Sequence, residues 1–196
     1  MAREEEHVVA ALVSLCKELG VTCVAQIGAE DGYEANEIRK ATGARAIAID
    51  GDPKCKPCAP EIEWYERLIG ATDSYVTFYV HKTGGLSSLF MRGDSAEEAR
   101  QLGQERLDTF IAARGLPKPD ALIIDTEGST LDVLEGCSSL LDGVRVIYAE
   151  VQSVEIRPGM RLLPEVEAFL AARGFTLRPG LPAYDGGAQG NYTWTK

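Results

Sequence analysis

Four short apolar runs, each ending in or beside a glycine or an acid, set the limits on what this chain can fold into. They are CVAQI (23–27), ARAIAI (44–49), ALIID (121–125) and VRVIYAEV (144–151). Continuous apolar runs of this length read as strands buried on both faces. Between them lie segments with apolar residues at helical spacing. Val8, Leu12, Leu15, Cys16 and Leu19 share one face of a helix over 4–19 that Gly20 stops. Further helices are predicted over 32–42, around 96–114, over 129–141 and over 162–173. FIAARGL (110–116) and FLAARGF (169–175) each read as the last turn of a helix. Helices between strands impose parallel pairing with right-handed crossovers, so the expected fold is α/β, a Rossmann-like doubly wound sheet. Strand-like runs also occupy 64–70 and 75–80, and residues 51–60 and 81–94 read as loops. FTLRP and NYTWT close the chain with no helix between them and should pair antiparallel at one edge.

At 196 residues, without linker or repeat, the chain is expected to be a single domain. Its parts are an N-terminal helix (1–20), a core (21–152) and a C-terminal helix with closing strands (153–196). The net charge of −10 argues against binding nucleic acid or an anionic membrane. No apolar run reaches 18 residues, and the acidic start is no secretory signal. Five scattered cysteines fit a reducing cytoplasm. The oligomeric state is left open, a homodimer included.

Ligands of open α/β sheets bind beyond the carboxyl ends of the strands, so chemistry is sought there. The first strand runs into Gly28-Ala29-Glu30-Asp31-Gly32. A dinucleotide fingerprint needs glycine at 28, 30 and 33, where this chain has Gly28, Glu30 and Tyr33. Each acid here would repel a pyrophosphate by about 3–4 kcal/mol at ~4–6 Å and an effective dielectric of about 20. The loop suits a cationic ligand without phosphates, such as S-adenosylmethionine; the plainer reading is an ordinary glycine-containing turn. Asp50 ends the second strand, 22 residues after Gly28, where an acid accepts the ribose hydroxyls of a bound adenosine. Its alternative is a solvated acid opening a turn at Gly51.

Asp125-Thr126-Glu127-Gly128 joins a strand to a helix. Its carboxylates suit substrate orientation or proton transfer, and equally helix capping. Asp125 and Glu150 should stand at the ends of neighbouring strands, where hard oxygens suit Mg²⁺ or Ca²⁺. No third ligand is evident, and no metal is expected. His81, at the start of a glycine-rich loop, is either a general base or a solvated loop residue. Cys55 and Cys58 form a CxxC in a proline-rich loop without a second pair to complete a zinc site. Walker A, HExxH and GxSxG are all missing.

The combination resembles the FkbM-type methyltransferases, a branch of the class I S-adenosylmethionine-dependent enzymes. RLDTFIAARGLPKPDALIIDTEGSTLDVLEG (106–136) carries most of the likeness, with IGAEDG (27–32), AIDGDP (48–53), GLSSLF (85–90) and YAEVQ (148–152). The resemblance implies a seven-stranded sheet with an antiparallel C-terminal strand. It implies that Gly28, Ala29, Glu30 and Gly32 wrap the methionine part of the cofactor, with Asp50 and Gly51 at the ribose. It further implies that Asp125 and Glu127 face the active site. The chain departs from the family pattern at Glu30 (often Asn), Asp50 (often Glu), Ile123 (often Lys) and Thr130 (often acidic).

The expected reaction is methyl transfer to a hydroxyl of a small molecule, a sugar or secondary metabolite, with Asp125 and then His81 as candidate bases. Residues 81–94, 153–161 and 180–190 are expected to form the acceptor pocket. Two other readings stand beside it: a cofactor-binding partner or regulator without catalysis, and a nucleotide-dependent oxidoreductase.

Overall fold

Strand order reverses at the centre of the sheet, and that reversal creates the cleft. A computed structural model describes residues 2–93, 97–179 and 187–196. Its strands are β1 (Cys23–Ile27), β2 (Arg45–Asp50), β3 (Glu63–Glu66), β4 (Leu68–Ile69), β5 (Ser74–His81), β6 (Glu97–Glu105), β7 (Ala121–Ile124), β8 (Val146–Gln152), β9 (Thr176–Leu177) and β10 (Gln189–Thr195). The helices are α1 (Ala2–Glu18), α2 (Tyr33–Thr42), α3 (Leu107–Arg114), α4 (Thr130–Glu135) and α5 (Leu163–Ala171). The main sheet has the order β3-β2-β1-β7-β8-β10-β9, seven strands among the described residues. All neighbours from β3 to β8 pair in parallel, and β10 runs antiparallel between β8 and β9. The expected doubly wound α/β sheet with an antiparallel C-terminal strand is therefore present.

Alternation along each strand sends successive side chains to opposite faces. Ile47, Ile49, Leu122, Ile124 and Ile147 pack on α3, α4 and α5 through Phe110, Leu134 and Leu170. Val24, Ala46, Ile123 and Val146 pack on α1 and α2 through Leu12, Cys16 and Ile38. The two ARG-containing helix ends share one further device. The Arg114 guanidinium lies 3.9 Å over the Phe110 ring, and that of Arg173 lies 3.5 Å over Phe169. Among the described residues no helix is long and apolar enough to cross a membrane.

Two predicted helices need correction. The one around 96–114 is helical only as α3; residues 97–105 form β6, paired antiparallel with β5 along eight residue pairs and with β4 in a second, three-stranded sheet. Its sequence, EEARQLGQE, is rich in helix formers, but a full-length ladder outweighs that local preference. The helix over 129–141 breaks at Gly136 and resumes as a 3-10 turn over 138–142. At this break a Cβ on residue 136 would lie 2.1 Å from the Gly70 carbonyl oxygen, so the chain here accepts no side chain. Gly136→Ala should therefore lower stability by about 1–3 kcal/mol through overpacking, read as a lower urea midpoint with unchanged slope.

Candidate active site

The cleft opens where β1 and β7 diverge to opposite halves of the sheet. Its enclosed space is small, about 70 Å³, and the rest of the cleft opens to solvent. Its floor is made by the chain leaving β1, β2 and β7: Gly28, Glu30, Asp50, Gly51, Asp125 and Glu127 all line it. Its roof comes from the second sheet and the loop beyond it, through Leu68, Phe78, Gly85, Ser87 and Leu89.

Close backbone approach shapes the floor. Gly28 has φ +69°, and a Cβ there would stand 1.7 Å from the Asp125 carbonyl oxygen. The Gly28 N–H and the Ala29 N–H both donate to the Ile49 carbonyl, at 3.0 and 3.3 Å. Behind the bend, the Ala29 side chain packs with Ala48 and Ile62. A Cβ on Gly32 would meet the same two side chains at 3.2 Å. Glu30 and Glu127 take left-handed backbone angles, φ 51° and 53°, which is costly for a side-chain-bearing residue.

Asp50 is held from two sides. Its Oδ2 accepts the Glu30 N–H at 2.8 Å, and its Oδ1 accepts the Asp52 N–H at 2.7 Å. The Cys55 thiol is a weaker third donor. Burial raises the Asp50 pKa against the pull of those backbone bonds, and the Asp52 charge adds to the rise. Asp52 in turn accepts the Ser87 hydroxyl at 2.7 Å and so fastens the loop that roofs the cleft. Burial, then Asp50 and Asp52, push the Cys55 thiol up to about 12, which leaves it without thiolate character at neutral pH. Cys58, its CxxC partner, is exposed, and both thiols are free.

Three carboxylates converge at the other end. One oxygen each of Asp125, Glu127 and Glu150 lie within 4.8 Å of one another. β7 and β8 are adjacent, as expected, but the third acid was not foreseen: the left-handed turn at Glu127 folds its side chain back toward the strand ends. Three such oxygens could bridge a hard cation. Here, however, Glu127 is already neutralised by Arg157, at 2.9 Å. Glu150 accepts the side-chain amides of Gln152 and Gln189, at 3.1 and 3.0 Å. Arg157 is buried, and its Nη1 also approaches the carbonyls of Phe90 and Glu127, at 3.4 Å each. Sequence reasoning missed Arg157; the available signal was a lone arginine in the loop after a strand that ends among acids.

Asp125 is open to the cleft on one side and crowded by protein on the others. Desolvation raises its pKa well above the ordinary range, reinforced by Glu150, Glu127, Glu34 and Glu30. Desolvation, then Glu127, lift Glu150 to about 7. Burial also raises Glu127, against the opposing charge of Arg157.

His81 is the last residue of β5 rather than part of the loop, and it is buried away from the cleft lining. Its Nδ1 accepts the Thr83 N–H at 3.1 Å. Thr130, at a position often acidic in the resembled family, donates its hydroxyl to the Glu150 carbonyl at 2.7 Å and ties α4 to β8. Of the loops expected to hold an acceptor, residues 94 and 180–186 lie outside the described residues. The segments 85–90 and 157–160 meet over Glu127, through Phe90, Arg157 and Met160.

A carboxyl with a raised folded-state pKa stabilises the fold at pH values below its unfolded pKa. That stability is lost as pH rises, here from about 4.5 through about 7 for Glu150. Glu150→Gln, which never ionises, should match the parent near about pH 4 and exceed it above about pH 7, by up to about 3 kcal/mol in urea unfolding.

Comparison with known proteins gives one family: residues 26–177 match the methyltransferase FkbM domain. A search of curated proteins gives no match. Among solved structures, a ribosomal RNA methyltransferase of Plasmodium falciparum is similar with TM-score 0.52 and 10% identity, covering 96% of this chain and 94% of that one. The methyltransferase domain of bacterial CtHen1 is similar with TM-score 0.53 and 9% identity, covering 98% and 100%. At such identities the likeness is one of fold.

Proposed function

The chain belongs to the FkbM methyltransferase family, and from that premise we propose that it transfers the methyl group of S-adenosylmethionine to a hydroxyl of a small, uncharged acceptor. The observation that carries this reading is the charge of the cleft. Glu30, Asp50, Asp52, Asp125 and Glu127 line it, against Arg67 as the lining cation. Such a wall attracts a sulfonium and an ammonium and repels phosphate. It also disfavours phosphorylated acceptors and nucleic acid backbone, and it offers hydrogen-bond acceptors to a polyhydroxylated molecule such as a sugar.

The bend at Gly28 and Glu30 would hold the methionine part, and Asp50 with Gly51 the ribose. Backbone N–H groups fix the Asp50 carboxylate in advance and leave acceptor capacity toward the cleft. Bound there, the donor supplies an activated methyl group whose bonding pair stays with sulfur as the new C–O bond forms. The protein's part is alignment and removal of the hydroxyl proton. Asp125 suits the proton removal because it faces the cleft, whereas Glu127 is engaged by Arg157 and His81 lies off the lining. Five free thiols among the described residues accord with a cytoplasmic setting.

Calorimetry with S-adenosylmethionine and S-adenosylhomocysteine tests the cofactor step, and both should bind. Asp50→Ala should weaken both by about 1–3 kcal/mol through lost charge-assisted bonds. A panel of neutral sugars and their phosphates, assayed by mass spectrometry for a gain of one methyl, tests the acceptor class. Methylation confined to phosphorylated molecules or RNA would reject it.

A further inference from the structure

Glu150 has no part in the reading above, yet it is 9% exposed and its carboxylate stands beside that of Asp125. Of the three carboxylates gathered there, only Glu127 is ion-paired, with Arg157, whose charge also acts on Glu150 and opposes the rise that burial and Glu127 cause there. Among the described residues, Asp125 and Glu150 take part in no ion pair. The partners of Glu150 are the neutral amides of Gln152, on β8, and Gln189, on β10. The other charged groups facing Asp125 are Glu34 from α2, Glu30 from the bend after β1 and Glu127 from the turn after β7, all negative. Those around Glu127 are Arg157, Arg92 and His81. Two carboxyls with oxygens within 4.8 Å of each other and Glu150 titrating at about 7 take up and lose protons as a pair.

We propose that Asp125 and Glu150 hold one proton between them, and that the cationic methyl donor expels it on entering the cleft, so that the base exists only once the donor is in place. The inference rests on the methyl-transfer reading given above. Asp125 is the catalytic residue, being the one open to the cleft. Glu150 and Arg157 are positioning residues that act through it: Glu150 shares the proton, and Arg157 keeps the Glu127 charge compensated. Charge and atoms balance around the cycle. One cation enters and one proton leaves to solvent through Asp125. In the transfer, the acceptor O–H breaks, its proton goes to Asp125, the methyl–sulfur bond breaks with its electron pair on sulfur, and the O–CH₃ bond forms. The carboxyl pair then holds a single proton again beside a neutral thioether, which is the charge state before the donor arrived. The resting pair thus favours release of the product cofactor over retention of it.

The test is proton counting by calorimetry, with each ligand titrated in buffers of different ionisation enthalpy about one pH unit below the point near about 7 at which Glu150 titrates, where the resting pair carries its proton almost fully. Binding of S-adenosylmethionine should release close to one proton, and binding of S-adenosylhomocysteine close to none. The ratio of their association constants should climb about tenfold per pH unit below about pH 7 and level off above it. Glu150→Gln should abolish the difference in proton count while both ligands still bind, an effect that loss of a merely structural contact would not produce. The comparison within the unmodified protein needs no variant to fold. Equal proton counts for the two ligands would overturn the proposal and leave the methyl-transfer reading standing. So would proton release by Mg²⁺ alone together with donor binding that requires Mg²⁺, because the carboxylates would then be metal ligands. Failure of both ligands to bind would overturn the methyl-transfer reading and this inference with it.

Discussion

The contact between Gly28 and the Asp125 carbonyl governs the site. Only a residue without a Cβ lets the end of β1 lie this close to the end of β7, since a methyl at 28 would overlap the carbonyl at 1.7 Å. The Asp125 N–H closes the same junction on the Ile27 carbonyl at 2.9 Å. Because strand order reverses between these two strands, their joined ends form the base of the crevice. The bend that would hold a cofactor and the acid that would take a proton are thereby brought side by side. Strain follows from so tight a junction: Glu30 and Glu127, one in each of the two bends, both lie in the left-handed region. Each is secured by a charged partner. The Glu30 N–H is tied to Asp50, and the Glu127 side chain is tied to Arg157.

What could be read from the chain divides along physical lines. β1, β2, β7 and β8 were legible because a strand buried on both faces reads as a short, mostly apolar run, here closed by glycine or an acid before a helical segment begins. Gly28, Asp50 and Asp125 followed from their places at strand ends. β6 was not legible: it is largely exposed, its residues favour a helix, and its pairing with β5 is a tertiary fact that its own nine residues do not encode. The break at Gly136 was hidden for a similar reason, since its cause is the backbone of residue 70.

Two site residues depend on geometry of another kind. Spacing alone leaves Glu127 divided between helix capping and the active site, and its left-handed backbone angle brings it in among the strand ends. Arg157 lies 30 residues further along the chain, and no local pattern links the two. Electrostatics does link them. Gathering three carboxylates at one point, with Glu150 buried and Asp125 open to the cleft, calls for a cation or a proton to accompany them, and Arg157 meets only part of that need.

Position 123 shows why the remainder falls to a proton. The resemblance drawn from the sequence leads to the expectation of a lysine there, whereas this chain has Ile123. Ile123 packs on the sheet face that meets α1 and α2, opposite Tyr148 on β8. Alternation from Val146 and Tyr148 places Glu150 on that same face, one pair further toward the cleft. The face that could have brought a permanent cation up to Asp125 and Glu150 therefore brings an apolar side chain, which lowers the local dielectric without compensating charge. A permanent ammonium at that point would neutralise the pair whatever the cleft contained. With isoleucine in its place, the pair's charge depends on what enters from solvent, a proton or a cationic ligand. The same substitution that removes a conventional charged residue from the site thus makes its remaining carboxyls responsive to the ligand.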